Sequence, residues 1–112
     1  MNLPDISDEY MQSELARSKT YAFVTLLPGP NIDSAQREQI WEHGRRNFAL
    51  RNHGVMNIVG PLQDDGEIQG VAILDATVEE AAAIMDGDPT VVAGIFTYSV
   101  HPMRAFPGDA LS

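Results

Sequence analysis

The chain contains no cysteine. That absence excludes structural disulfides, thiolate nucleophiles and redox catalysis through protein thiols, and it fits a reducing cytosol. Basic residues are scarce too: seven lysines and arginines stand against sixteen aspartates and glutamates, a formal net charge of −9. Such a chain repels polyphosphate and anionic membranes, so neither nucleic acid nor a membrane is an expected partner. Arg45, Arg46 and Arg51 fall close together, but with Glu38 and Glu42 interspersed they read as a solvated helix face. No stretch approaches the roughly 20 apolar residues of a membrane span. The first residues, MNLPDISDEYMQSE, carry acids where a signal peptide carries bases followed by an apolar run, so the expected location is the cytoplasm. Gly-rich phosphate loops, nucleophile elbows and dinucleotide fingerprints are also missing, and no cofactor is expected. Asp64-Asp65-Gly66 and Asp86-Gly87-Asp88 lack the later ligands of a calcium loop and read as turns, so no metal site is assigned.

What remains is an ordinary globular composition, 44% hydrophobic and 21% charged over 112 residues, enough for one domain with one core. Ser7 can cap a short helix over DEYMQSELARS, whose Tyr10, Met11 and Leu15 form a narrow apolar stripe for docking on the body of the protein or on a second subunit. Thr20–Leu27 is β-branched and aromatic and ends at Pro28-Gly29-Pro30, which marks a strand. Asp33 or Ser34 can then cap a long helix reaching about Asn52, with Gly54 as its left-handed stop. The run VMNIVG forms a second strand ended by Gly60-Pro61. Gly66 supplies the positive-φ residue of a hairpin to a third strand at about Glu67–Leu74. Thr77 and Glu80 make a capping box for a short helix stopped by Gly87, and Thr90–Val100 reads as the last strand.

The order β-α-β-β-α-β is that of the split βαβ, ferredoxin-like α+β arrangement: a four-stranded antiparallel sheet with both helices on one face. In the first strand Tyr21, Phe23 and Leu27 alternate with Ala22, Val24 and Leu26. In the last, Val92, Phe96 and Val100 alternate with Val91, Ala93 and Ile95. Both faces are apolar, so something must cover the face without helices. A homodimer with sheet packed on sheet is the economical answer, and an N-terminal segment folded over that face is the monomeric one.

Two residues carry the expected chemistry. His43 lies in the middle of the long helix at the edge of its predicted core stripe, Ile40, Gly44 and Phe48. Asp88 sits between the helix-stopping Gly87 and Pro89, which pushes it towards extended backbone and frees its carboxylate. Each alone has a plain structural reading, a half-buried histidine and a turn former. In the split βαβ arrangement the two can meet, and the carboxylate then fixes the imidazole tautomer and leaves the other ring nitrogen to take or give a proton. Tyr98 and Arg104, near the end of the last strand, are candidates for orienting an anionic or phenolic ligand, with a structural surface role as the alternative. His53 reads as a helix C-terminal residue favoured by the dipole, His101 precedes Pro102, and neither forms a metal spacing with His43.

The ordered set His43, Gly54, Gly60-Pro61 and Asp88-Pro89 resembles the YCII-related family, in which a helix histidine, a glycine eleven residues on, a strand ending in Gly-Pro and an Asp-Pro step recur. The resemblance runs from about Tyr21 to Phe106. It implies a dimeric ferredoxin-like α/β barrel with the His43–Asp88 pair in an active-site pocket, and lyase chemistry of the dehydrochlorinase kind. The chain departs from the family pattern at Gly44, where leucine is usual, and at Thr90, where an aromatic is usual; both changes are expected to make the pocket roomier. Residues 1–19 are then an N-terminal extension, 20–106 a YCII-like domain and 107–112 a tail. Two functions fit: a cofactor-free enzyme using His43 and Asp88 for general acid/base chemistry on a small organic substrate, aromatic ones included, or a non-catalytic dimeric ligand-binding or interaction module in which the pair is a structural hydrogen bond.

Overall fold

A computed structural model describes residues 1–112. Its elements are α1 (Asp8–Ala16), β1 (Lys19–Pro28), α2 (Arg37–His53), β2 (Met56–Pro61), β3 (Gly70–Leu74), α3 (Val78–Asp86), α4 (Pro89–Val92) and β4 (Phe96–Ala105), with a single 3-10 turn at Ile32–Ser34. The strands form one sheet in the order β2-β3-β1-β4, every neighbouring pair antiparallel. This is the ferredoxin-like arrangement the element order predicts. No helix is long and apolar enough to cross a membrane.

Helix ends follow local chemistry, with two exceptions. Ser7 accepts a hydrogen bond from the Tyr10 amide, and Thr77 and Glu80 bond each other's backbones as a capping box. Gly54, at φ +96°, closes α2 in a conformation that a Cβ disfavours. Asp33 and Ser34, however, do not cap α2: they are spent in the 3-10 turn, and α2 begins after Gln36, whose amide donates to the Gln39 side chain. Gly87 ends α3 at φ −86°, so it is not there for a left-handed turn. A Cβ at Gly87 would instead come within 2.9 Å of an Arg46 guanidinium nitrogen. Arg46 is therefore not a solvated side chain: one of its nitrogens is enclosed against the end of α3.

Two strand boundaries also differ from the reading of the sequence. The β2–β3 connection holds no positive-φ Gly66; Asp64 accepts from the Gly66 amide in a side-chain-closed turn, and β3 begins only at Gly70. More consequential is α4. Thr90-Val91-Val92 has high β propensity, yet Asp88-Pro89 is a helix start, an N-cap followed by proline at the first helical position. Capping overrides propensity here, Gly94 at φ +73° turns the chain out of the helix, and β4 starts at Phe96 rather than Thr90. Val91, Val92 and Ala93 consequently take no part in strand alternation.

The core lies between the sheet and α3. Ala22, Val24, Leu26, Ala72 and Leu74 from the inner face of the sheet pack with Met56, Ala81, Met85, Ile95 and Phe96. Helix α2 contributes no fully buried residue. Its expected core stripe is not closed over: Ile40 is 39% and Phe48 55% exposed. Gly44, between them, is the odd residue of this helix. Glycine within a helix costs roughly 0.8–1.0 kcal/mol relative to alanine, yet Gly44 has no positive φ and a Cβ built on it meets nothing within 4 Å.

The second face of the sheet carries Tyr21, Phe23, Leu27, Ile58, Val71, Ile73 and Met103, all only half-buried. Helix α1 does not cover it. No α1 residue is buried, Tyr10, Met11 and Leu15 are exposed, and the molecule measures 53 × 32 × 22 Å.

Candidate active site

Separating α2 from the sheet is a cavity of about 330 Å³, within the size range of small-molecule sites. Ile40, His43, Gly44, Asn47 and Phe48 form its helical wall, and Val24, Leu26, Val59, Gly70, Ala72 and Phe96 are among the sheet residues opposite. Its formation follows from the composition of α2. A glycine at the centre of the stripe and two aromatic or aliphatic side chains splayed at its ends cannot fill the space that the curved sheet leaves.

His43 and Asp88 meet at the inner end of this cavity. Nδ1 of His43 lies 2.7 Å from Oδ2 of Asp88, across 45 residues of sequence. Asp88 is completely buried, and the His43 side chain is 15% exposed. The other oxygen of the carboxylate, Oδ1, accepts the Thr90 amide at 2.8 Å and the Thr90 hydroxyl, which is the N-cap bond of α4. One carboxylate therefore does two jobs with two oxygens: Oδ1 starts a helix and Oδ2 holds the imidazole. On the far side of the ring, Nε2 stands 3.2 Å from the Asn47 amide nitrogen one helical turn on. An amide nitrogen only donates, so it faces an unprotonated Nε2, while the carboxylate faces a protonated Nδ1. Both contacts select the same neutral tautomer. The Phe96 ring, tilted 55° with its centroid 5.7 Å away, packs against the imidazole.

Burial works to raise the Asp88 pKa, but the hydrogen bonds from His43 and Thr90, the imidazole charge and the Thr90 amide outweigh it. The carboxyl is held below its ordinary range. Asp88 is thus an anion in a water-free position with every bond directed at it donating. This is the environment that orients a histidine and steadies its protonated form.

The remaining residues singled out in the sequence fall elsewhere. Tyr98 joins β4 to α3: its hydroxyl lies at the Asp86 carboxylate and 3.1 Å from the Ala82 carbonyl. The bond to Asp86, with burial and the charge of Asp86 behind it, pushes the phenol pKa up to about 12. Arg104 is exposed at the end of β4 opposite Phe96, paired in register with Thr20. Neither lines the cavity. Thr90 does not line it either, being fully buried behind Asp88, so only Gly44 of the two departures from the family pattern bears on pocket size. Asn47, Gln69 and Phe96 line the cavity without any sequence signal that distinguishes them. Asn47 alone was within reach, as the position one turn after His43.

The model of the YCII-related domain matches residues 16–104. No curated protein matches the chain. Among solved structures, 5-chloro-2-hydroxyhydroquinone dehydrochlorinase from Burkholderia phenoliruptrix, in complex with 2,5-dihydroxybenzoquinone, is similar with a TM-score of 0.54 and 16% sequence identity. The match covers 78% of this chain and 95% of that one. At that identity the likeness establishes a common fold.

Proposed function

Because the chain belongs to the YCII-related domain family, we propose that it is a small enzyme in which His43, oriented by Asp88, serves as general base on an organic substrate held between α2 and the sheet. One observation carries this reading: His43 joins a buried carboxylate on one side to an open, largely apolar cavity on the other. A purely structural hydrogen bond has no need of that cavity. The solved dehydrochlorinase of the same fold supports an elimination. In such a step the substrate displaces the Asn47 amide from Nε2, Nε2 takes a proton from the substrate, the released electron pair forms the new double bond, and the leaving group departs with the pair that bound it. The imidazolium is stabilised by Asp88 until it returns the proton to solvent. The aromatic character of the substrate is part of the same proposal.

The tautomer is the first test. In nitrogen-15 NMR spectra of the histidine rings at pH 8, His43 should show a protonated Nδ1 and a bare Nε2. A proton on Nε2 would remove the base that the mechanism needs.

The second, half-buried face of the sheet is the proposed contact with another copy of the chain. Seven apolar side chains project from it, and no element covers them. Sedimentation equilibrium should give a dimer, and Phe23→Glu should shift it towards monomer. A wild-type chain that stays monomeric at high micromolar concentration would rule the contact out.

A further inference from the structure

We propose that Gly44 is a specificity-determining position of this cavity, and that the room it leaves beside His43 receives an uncharged, apolar substituent of the substrate. The inference rests on the cavity being a substrate site, as above, and adds the chemical class of what fills it. Three observations carry it.

The glycine is unexplained by the backbone. It sits in the middle of a 17-residue helix without a positive φ, and apart from its chain neighbours and its own helix backbone nothing comes within 4 Å of the Cβ it lacks. A Cβ is sterically admissible there, and nearly any other residue is a better helix former. Its missing side chain is felt in one place only. Gly44 belongs to the stripe Ile40, Gly44, Phe48 that walls the cavity, and it is the chain neighbour of His43. A branched side chain there would project into the space next to the imidazole.

The cavity is also without formal charge. None of its lining residues is an aspartate, glutamate, lysine or arginine; its polar side chains are those of His43, Asn47 and Gln69. A carboxylate or phosphate placed there would lose its hydration without gaining a cation, and it would lie close to the anionic Asp88. An uncharged ring with one or two hydroxyl groups meets no such obstacle. Asn47 and Gln69 offer neutral partners for those groups, while the apolar walls take the ring.

Isothermal titration calorimetry with phenol, 1-naphthol and 1-naphthoate separates size from charge. The wild-type chain should bind 1-naphthol, and 1-naphthoate about tenfold or more weakly by comparison. Gly44→Leu should weaken 1-naphthol about tenfold or more, and phenol by no more than about threefold. Gly44→Ala guards against a folding artefact: it should keep or raise the melting temperature and still reduce the affinity for 1-naphthol. Wild-type affinity for 1-naphthol in both variants, equal binding of 1-naphthoate, or no binding of 1-naphthol by the wild-type chain would each overturn the proposal. The measurement reads heat rather than turnover, so it decides the shape and polarity of the site even if His43 proves not to be a base. A failed tautomer test leaves these outcomes intact.

Discussion

Asp88→Asn should lower turnover about 10²- to 10⁴-fold, the range of lost general acid/base assistance, while leaving the fold nearly as stable as the wild type. The two effects separate because the two carboxylate oxygens do different work. An asparagine oxygen in the place of Oδ1 still accepts the Thr90 amide and caps α4. The amide nitrogen then takes the place of Oδ2 and points a donor at Nδ1 of His43. Two donors cannot face one another, so the ring must give up the proton on Nδ1 and carry it on Nε2, the nitrogen that has to be bare to act as the base. His43→Ala should lose at least as much turnover. Steady-state kinetics with halide release as the signal, on halogenated hydroquinones, measures both, and undiminished turnover in the two variants would remove the pair from the mechanism.

Asp88→Ala should be the most destabilising single substitution at the site, by about 2–5 kcal/mol. It removes the α4 cap, worth roughly 0.5–2 kcal/mol. It also leaves the buried Thr90 hydroxyl without an acceptor, at about 1–3 kcal/mol for a group that water cannot reach. A denaturant melt at neutral pH measures the loss, and a change under about 1 kcal/mol would mean that Asp88 is not the keystone described here. Its pH dependence has a definite sign. The folded-state pKa of Asp88 lies below its ordinary value, whereas in the unfolded chain an aspartate titrates near ~3.9. The stabilisation is thus complete above about pH 5 and is lost as the pH falls through the folded value. The gap between wild type and Asp88→Ala should therefore narrow on acidification.

Thr77 with Glu80, Ser7 and Gly54 were legible because capping is local: the partners sit within three or four residues, and their chemistry admits few alternatives. Asp88-Pro89 is an equally local helix start, but the β-branched residues that follow it carry strand propensity, so the sequence reads as strand where the chain forms α4. Tyr98 failed differently. Nothing in its neighbours indicates that Asp86 and Ala82, on another element, would claim its hydroxyl.

By itself the sequence determined the order of the four strands and the two helices between them, the alternation of faces in β1, and hence a ferredoxin-like sheet with helices on one side, because periodicity and caps are written within a few residues. It also singled out His43 and Asp88 as a pair that could meet. Only the tertiary structure decided that His43 and Asp88 meet at 2.7 Å, that Asn47 faces the remaining nitrogen, and that α2 stands off the sheet to leave a cavity beside Gly44. Those are contacts between elements distant in the chain, or the absence of contact where packing would be expected. Their energies depend on how a helix of given shape seats on a twisted sheet, which no local pattern encodes.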